Sequence, residues 1–215
     1  AGAEGFGSSS WSTNGVMDFL FTRETEIVAG YYRLHRYPIP GNLVSVLACA
    51  EHAWNAGAAE TEDWLARVPR LAFGLDEPAI IEGILDGKYE VFFLEHSREN
   101  AERCQRGWET LRQIEPRVRR NREAYAHLVF MTRGHAHMAE RKVLFHDIDE
   151  AWGRDAKAFE QLRPRIDEFF TELEALREEH RRIMAPYFGP GELDIENRLI
   201  FLCEDERAMK LRRAF

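Results

Sequence analysis

Long hydrophobic runs are missing from this 215-residue sequence. No stretch approaches the roughly 20 apolar residues that cross a bilayer, so neither a membrane span nor a membrane partner is expected. No segment joins a basic start to an apolar centre, the pattern of a secretory leader. The compartment stays open. Positive charge is not in excess: the formal net charge is -8, which argues against a broad phosphate-binding surface and a nucleic-acid partner. Arg117, Arg119, Arg120 and Arg122 do cluster, but among acidic residues, and read as a solvated helix face. Cysteine is scarce. Cys49, Cys104 and Cys203 are odd in number, far apart and without a CxxC pair, so neither a disulfide framework nor a cysteine metal site is expected. Buried free thiols fit them better. No internal repeat is visible, and low complexity is confined to Gly7 to Ser10.

What is present is an ordinary globular balance, 45% hydrophobic and 31% charged, sufficient for a core. Residues 1 to 15 carry no helical period, and Phe6 to Trp11 fits a short strand entering a loop. Val16 to Arg36 fits a helical face. Tyr37-Pro38-Ile39-Pro40-Gly41 breaks it, because prolines two apart cannot lie inside a helix. Asn42 to Trp54 reads as a buried helix. Thr61 is a good N-cap for a helix that Pro69 shortens or kinks and Gly74 closes. Asp76 to Leu85 forms another. Ser97 caps a further one carrying Ala101, Cys104, Trp108 and Leu111, and Pro116 ends it. A long helix follows, from about Arg117 to His146. Phe159, Leu162, Ile166, Phe169, Leu173, Leu176, His180 and Ile183 then alternate by three and four. That is the narrow apolar seam of an antiparallel bundle or coiled coil. Pro164 marks a kink or a new first turn. Gly189-Pro190-Gly191 reads as a turn, and Ile195 to Phe215 as the last helix.

Few residues point to chemistry. His135 and His137 form an H-x-H pair, but positions two apart on a helix point about 200° apart, so one metal cannot easily take both. Glu140 and His146 add no HExxH spacing. No metal or other cofactor is expected. Glu51 and His52 lie in an apolar helix, where a carboxylate needs a partner; a structural salt bridge or a helix face grazing solvent accounts for it. His180 falls on the seam and reads as a core histidine. Serines 8 to 10 and 12 fail the G-x-S-x-G elbow at its last glycine. No Gly-Lys-Ser/Thr follows the glycines, so a phosphate loop is lacking too. Trp11 stands among small residues after a possible strand. It either receives a sugar ring on its indole or plugs a loop–helix contact.

Two segments together resemble a known family. Gly2 to Thr13, GAEGFGSSSWST, is a glycine-rich approach to a tryptophan. Ala48 to Gly57, ACAEHAWNAG, follows about 40 residues on. The pairing is similar to the end of the catalytic barrel in family 20 glycoside hydrolases, the beta-N-acetylhexosaminidases, and in related barrel glycosidases. Leu65 to Gly74 resembles the short helix that follows there. Glu172 to Met184 resembles the helical extensions of large bacterial members. The resemblance implies that Trp11 lines the sugar pocket. Thr13 falls where the family places a glutamate holding a sugar hydroxyl, a departure that bears on which sugar is bound. The acid/base pair would lie upstream, so no catalytic residue is expected in this chain, and the first residues, Ala-Gly-Ala, fit a processed terminus or a cut through a longer protein, of which the resemblance favours the cut.

The expected fold is therefore mainly α: the last strand and helices of a truncated (β/α)8 barrel in residues 1–74, then an all-helical bundle of long antiparallel helices in residues 75–215. The expected function is that of the C-terminal fragment of a glycoside hydrolase acting on N-acetyl-hexosamine-type or related glycans. Its partner would be that carbohydrate, and its bundle offers a homodimer surface. The alternative is a stand-alone helical interaction or dimerisation module.

Overall fold

The computed structural model describes residues 61–87, 97–152 and 156–201, with isolated positions between 43 and 50 and between 205 and 212. Trp11, Thr13, Glu51, His52 and the expected barrel strand lie outside the described residues. These form helices almost throughout, with no strand among them. In chain order they are α1 (Thr61–Phe73), α2 (Ala79–Asp86), α3 (Arg98–Ile114), a 3-10 turn (Glu115–Arg117), α4 (Arg122–Trp152), α5 (Ala156–Glu160), α6 (Arg163–Met184) and α7 (Pro190–Ile200). No described helix is long and apolar enough to cross a membrane.

Local chemistry sets most boundaries. Ser97 is extended, and its hydroxyl accepts the Asn100 N–H at 3.2 Å, opening α3. Gly74 closes α1 at φ +70, a conformation that side chains disfavour. Pro116 lies in the 3-10 turn after α3. Pro164 opens α6 rather than kinking it, because a proline in the first turn gives up no helical hydrogen bond. The same physics corrects the end of the chain. Pro190 is the first residue of α7, and Leu193 N–H bonds Gly189 O at 2.8 Å, so the expected turn is the helix start. The long helix begins at Arg122 and ends at Trp152, later at both ends than the sequence suggests.

α4 is the central helix. Tyr125 near its start bonds the Leu111 carbonyl at the end of α3, while Asp147 near its end pairs with Arg98 at the start of α3. Those two elements are antiparallel. Glu123 meets Tyr187, and Arg133 meets Glu172 and Glu179, so α4 and α6 are antiparallel too. Buried side chains surround α4, from Tyr125 and Phe130 to Met138, Val143 and Leu144. The α6 seam is buried at Ile166, Phe169, Leu173, Leu176, His180 and Ile183, with Phe159 and Leu162 half-buried on the same core. A second cluster joins Val68, Phe73, Ile80, Leu111, Tyr125 and Val129, and Leu43, Val44 and Leu47 pack against it.

Arg133 ties α4 to α6. Its guanidinium donates to both Glu172 oxygens, at 2.7 and 2.8 Å, and to Glu179 at 2.5 Å. Its side chain is 16% exposed, and so is that of Glu179. Removing the cation would leave Glu172 without its partner and Glu179 with only Arg182, 3.5 Å away, so Arg133→Ala is expected to lower stability by about 2 kcal/mol. Arg133→Lys should recover only part, since an ammonium cannot reproduce the planar fork. Urea midpoints of the three proteins check this. An Arg133→Ala midpoint equal to that of the parent would mean the bridge contributes nothing.

Candidate functional site

The histidines of the H-x-H pair part company, as helical geometry requires. His135 Nδ1–H donates to the Gly87 carbonyl at the end of α2, 2.7 Å away. His137 instead stacks on Phe169 of α6, with ring centroids 5.2 Å apart and planes 19° from parallel. No cluster of three or more metal-ligating side chains occurs among the described residues. Burial holds the His135 ring neutral, with its pKa pushed down to about 4, the Gly87 hydrogen bond opposing that shift. His127 is likewise buried and lowered to about 4, against a smaller opposing effect of Glu123. His180 is a core residue, 1% exposed, between Phe130 and Phe201 and 3.0 Å from Asn197 Nδ2.

Cys104 is a buried free thiol. Burial raises its pKa to about 11, with Arg103 opposing and Asp86 adding to the shift, so it is no nucleophile at neutral pH. Cys49 and Cys203 lie outside the described residues.

The arginine cluster is not one helix face, as the sequence suggested. Arg117 ends the 3-10 turn, Arg119 and Arg120 lie in the connection, and Arg122 opens α4. The connection caps α1: the N–H groups of Arg119 and Arg120 both reach the Phe73 carbonyl at 3.1 Å. Asn121, at φ +48, donates its side-chain amide to the Ala72 carbonyl at 2.7 Å. Cationic residues belong at the negative end of a helix dipole, so this cluster has a structural explanation.

A groove of about 360 Å³ opens between α3, α4 and α6. Ala136, His137, Leu144 and Phe169 supply its apolar part, and Trp108 and Gln105 come from α3. Arg141 lines it although only 3% exposed. Arg165 is held by Glu140 at 2.6 Å and Asp147 at 2.5 Å, and Glu172 by Arg133. Trp108 does not offer a bare face, because the guanidinium carbons of Arg112 and Arg133 lie 5.0 and 5.3 Å from its ring centre. Sequence reading missed this groove. Trp108, His137 and Phe169 belong to three helices, and no spacing within one segment brings them together. The substrate-binding residues it did single out, Trp11 and Thr13, lie outside the described residues. No protein-family model, curated protein or solved structure matches the chain.

Proposed function

We propose that the chain is the C-terminal part of a glycoside hydrolase acting on N-acetyl-hexosamine-type or related glycans. Residues 1–74 would complete its barrel, and residues 75–215 would form a helical extension. The observation that carries this reading is the pairing of the glycine-led GFGSSSW stretch with Ala48-Cys49-Ala50-Glu51-His52-Ala53-Trp54-Asn55. Two structural facts support it. The segment resembling the short helix after that motif is helical to Phe73 and closed by Gly74. Leu43, Val44 and Leu47, at the start of the motif-bearing segment, pack on the core that α1, α2, α3 and α4 share. A barrel's last helix and its extension would be joined in this way.

Barrel enzymes keep their chemistry at the C-terminal ends of the strands. In this reading Trp11 stands at such an end, its indole under the apolar face of a pyranose ring, with Thr13 beside it. Family 20 enzymes use the substrate's acetamido group as nucleophile, an exception to the two-carboxylate scheme. In that scheme this chain supplies binding and support, not the acid. Trp11→Ala in the enzyme-length protein is expected to raise KM for an aryl N-acetyl-β-hexosaminide about tenfold, the loss of roughly 1.4 kcal/mol of ring packing. An unchanged KM would make Trp11 a structural residue.

A further inference from the structure

We propose that the exposed arginines around Gly74 form a docking surface for an acidic peptide segment of a partner protein. Arg70 lies in the last turn of α1, Arg119 and Arg120 in the connection before α4, and Arg122 opens α4. All four are exposed. Consecutive residues of an extended chain point to opposite sides. Arg119 and Arg120 do not. A Cβ placed on Gly74 would lie 3.3 Å from Arg119 Cβ and 3.1 Å from Arg120 Cγ, so both stems start beside that glycine. The backbone beneath them is fixed: both N–H groups bond Phe73 O at 3.1 Å, Asn121 donates to Ala72 O at 2.7 Å, and Val118 is buried. Arg70 adjoins them through its carbonyl, which accepts the Gly74 N–H at 3.2 Å.

These charges are not neutralised from within. Arg117 has Glu77 at 2.7 Å, but Arg70, Arg119 and Arg120 make no side-chain hydrogen bond or ion pair among the described residues. Arg122 commits only its Nε, to Val118 O, which leaves the outer edge of its fork open. The neighbouring Glu123 is engaged by the Tyr187 hydroxyl. The end of α1 brings about half a negative charge and the start of α4 about half a positive one, so the two dipoles cancel. The dipole of α1 explains where the cations sit, not why several remain in excess. That excess selects the partner. A guanidinium fork grips a carboxylate with two parallel hydrogen bonds, and a short run of glutamates or aspartates supplies several carboxylates. A nucleic acid fits worse. It would run past the patch onto a chain of net charge -8, with Asp76 and Glu123 flanking the arginines. Leu71, next in sequence to Arg70 and 51% exposed, offers an apolar contact that a peptide side chain can use.

The surface does not depend on the glycosidase reading, because it rests on the described helices alone. Its test uses the 215-residue chain and a fluorescein-labelled hexaglutamate peptide, with anisotropy read at low and at physiological salt. Saturable binding is expected, weaker at the higher salt and about tenfold weaker when Arg119→Gln and Arg120→Gln are combined. Glutamine keeps the stems over Gly74 and the backbone N–H groups, so the melting temperature of that variant should hold. Arg163→Gln is the control. Arg163 is 56% exposed at the start of α6, which lies toward the far end of α4, and its loss should leave binding unchanged. Four results would overturn the proposal: no saturable binding, binding that the double variant leaves intact, an equal loss in Arg163→Gln, or tighter binding of a single-stranded oligouridylate than of the peptide. The last would make the patch a nucleic-acid surface instead.

Discussion

Gly107→Ala is expected to destabilise the protein by about 2–4 kcal/mol, although alanine is the better helix former. In an exposed helix the same change gains about 1 kcal/mol. Here a Cβ would lie 2.2 Å from Gly87 N, 2.6 Å from Gly87 Cα and 2.8 Å from the Asp86 carbonyl carbon. Those are backbone atoms, and no rotamer change moves them. The end of α2 must lift off α3, and it is held from the other side by the 2.7 Å bond from His135 to Gly87 O. Overpacking against fixed backbone commonly costs 1–3 kcal/mol, sometimes more. For a chain of this length the melting temperature should fall by about 5–15 °C. Gly191→Ala is the control: nothing lies within 4 Å of its would-be Cβ, so the melting point should hold or rise slightly. An unchanged melting point for Gly107→Ala would mean that α2 does not sit on α3 as described.

Acid should destabilise the fold well above the range where carboxylates protonate. His127 and His135 are both buried as neutral rings, with folded pKa values of about 4 against an ordinary value of 6.5. The unfolded chain takes up these protons near pH 6.5 and the folded chain only near pH 4. Between those values the unfolded state binds more protons, so stability falls as pH falls. The contribution is complete above about pH 6.5 and lost by about pH 4. At 1.36 kcal/mol per pKa unit each histidine accounts for up to about 3 kcal/mol. Other groups shape the edges. Burial raises Glu115, which opposes the trend. Arg165 and Arg98 hold Asp147 below its ordinary value despite some burial, which adds a loss at still lower pH. Urea unfolding at pH 7.0, 6.0, 5.0 and 4.5 checks the slope. His127→Gln with His135→Gln should flatten it, even if the double variant is weaker at pH 7. A slope that survives in the double variant would place its origin elsewhere.

The bundle was legible where one face of a helix repeats. The α6 seam could be read because it packs on one side, so its apolar residues recur by three and four. α3 was readable for the same reason, with Ser97 at its start. α4 gave a weaker pattern because it is the central helix: apolar and polar residues alike are buried around it, Arg141 and His127 among them. The start of α7 was misread because Gly-Pro-Gly is turn chemistry in most settings, while Pro190 is equally suited to a first helical turn. The close approach of Gly107 to Gly87 was invisible, since it depends on which helix lies opposite. The groove failed to show for a similar reason. Its residues are spread from Gln105 to Glu172, and only the antiparallel return of α6 along α4 brings them together.

The central claim, that this chain completes a glycoside hydrolase, is tested most directly by comparing two purified proteins. One is the 215-residue chain, and the other is the longer, enzyme-length protein that the proposal supposes. Both are assayed for release of the aryl group from an N-acetyl-β-hexosaminide. The account predicts hydrolysis by the longer protein and none by the chain alone. Hydrolysis by the 215 residues alone, or by neither protein, would contradict it.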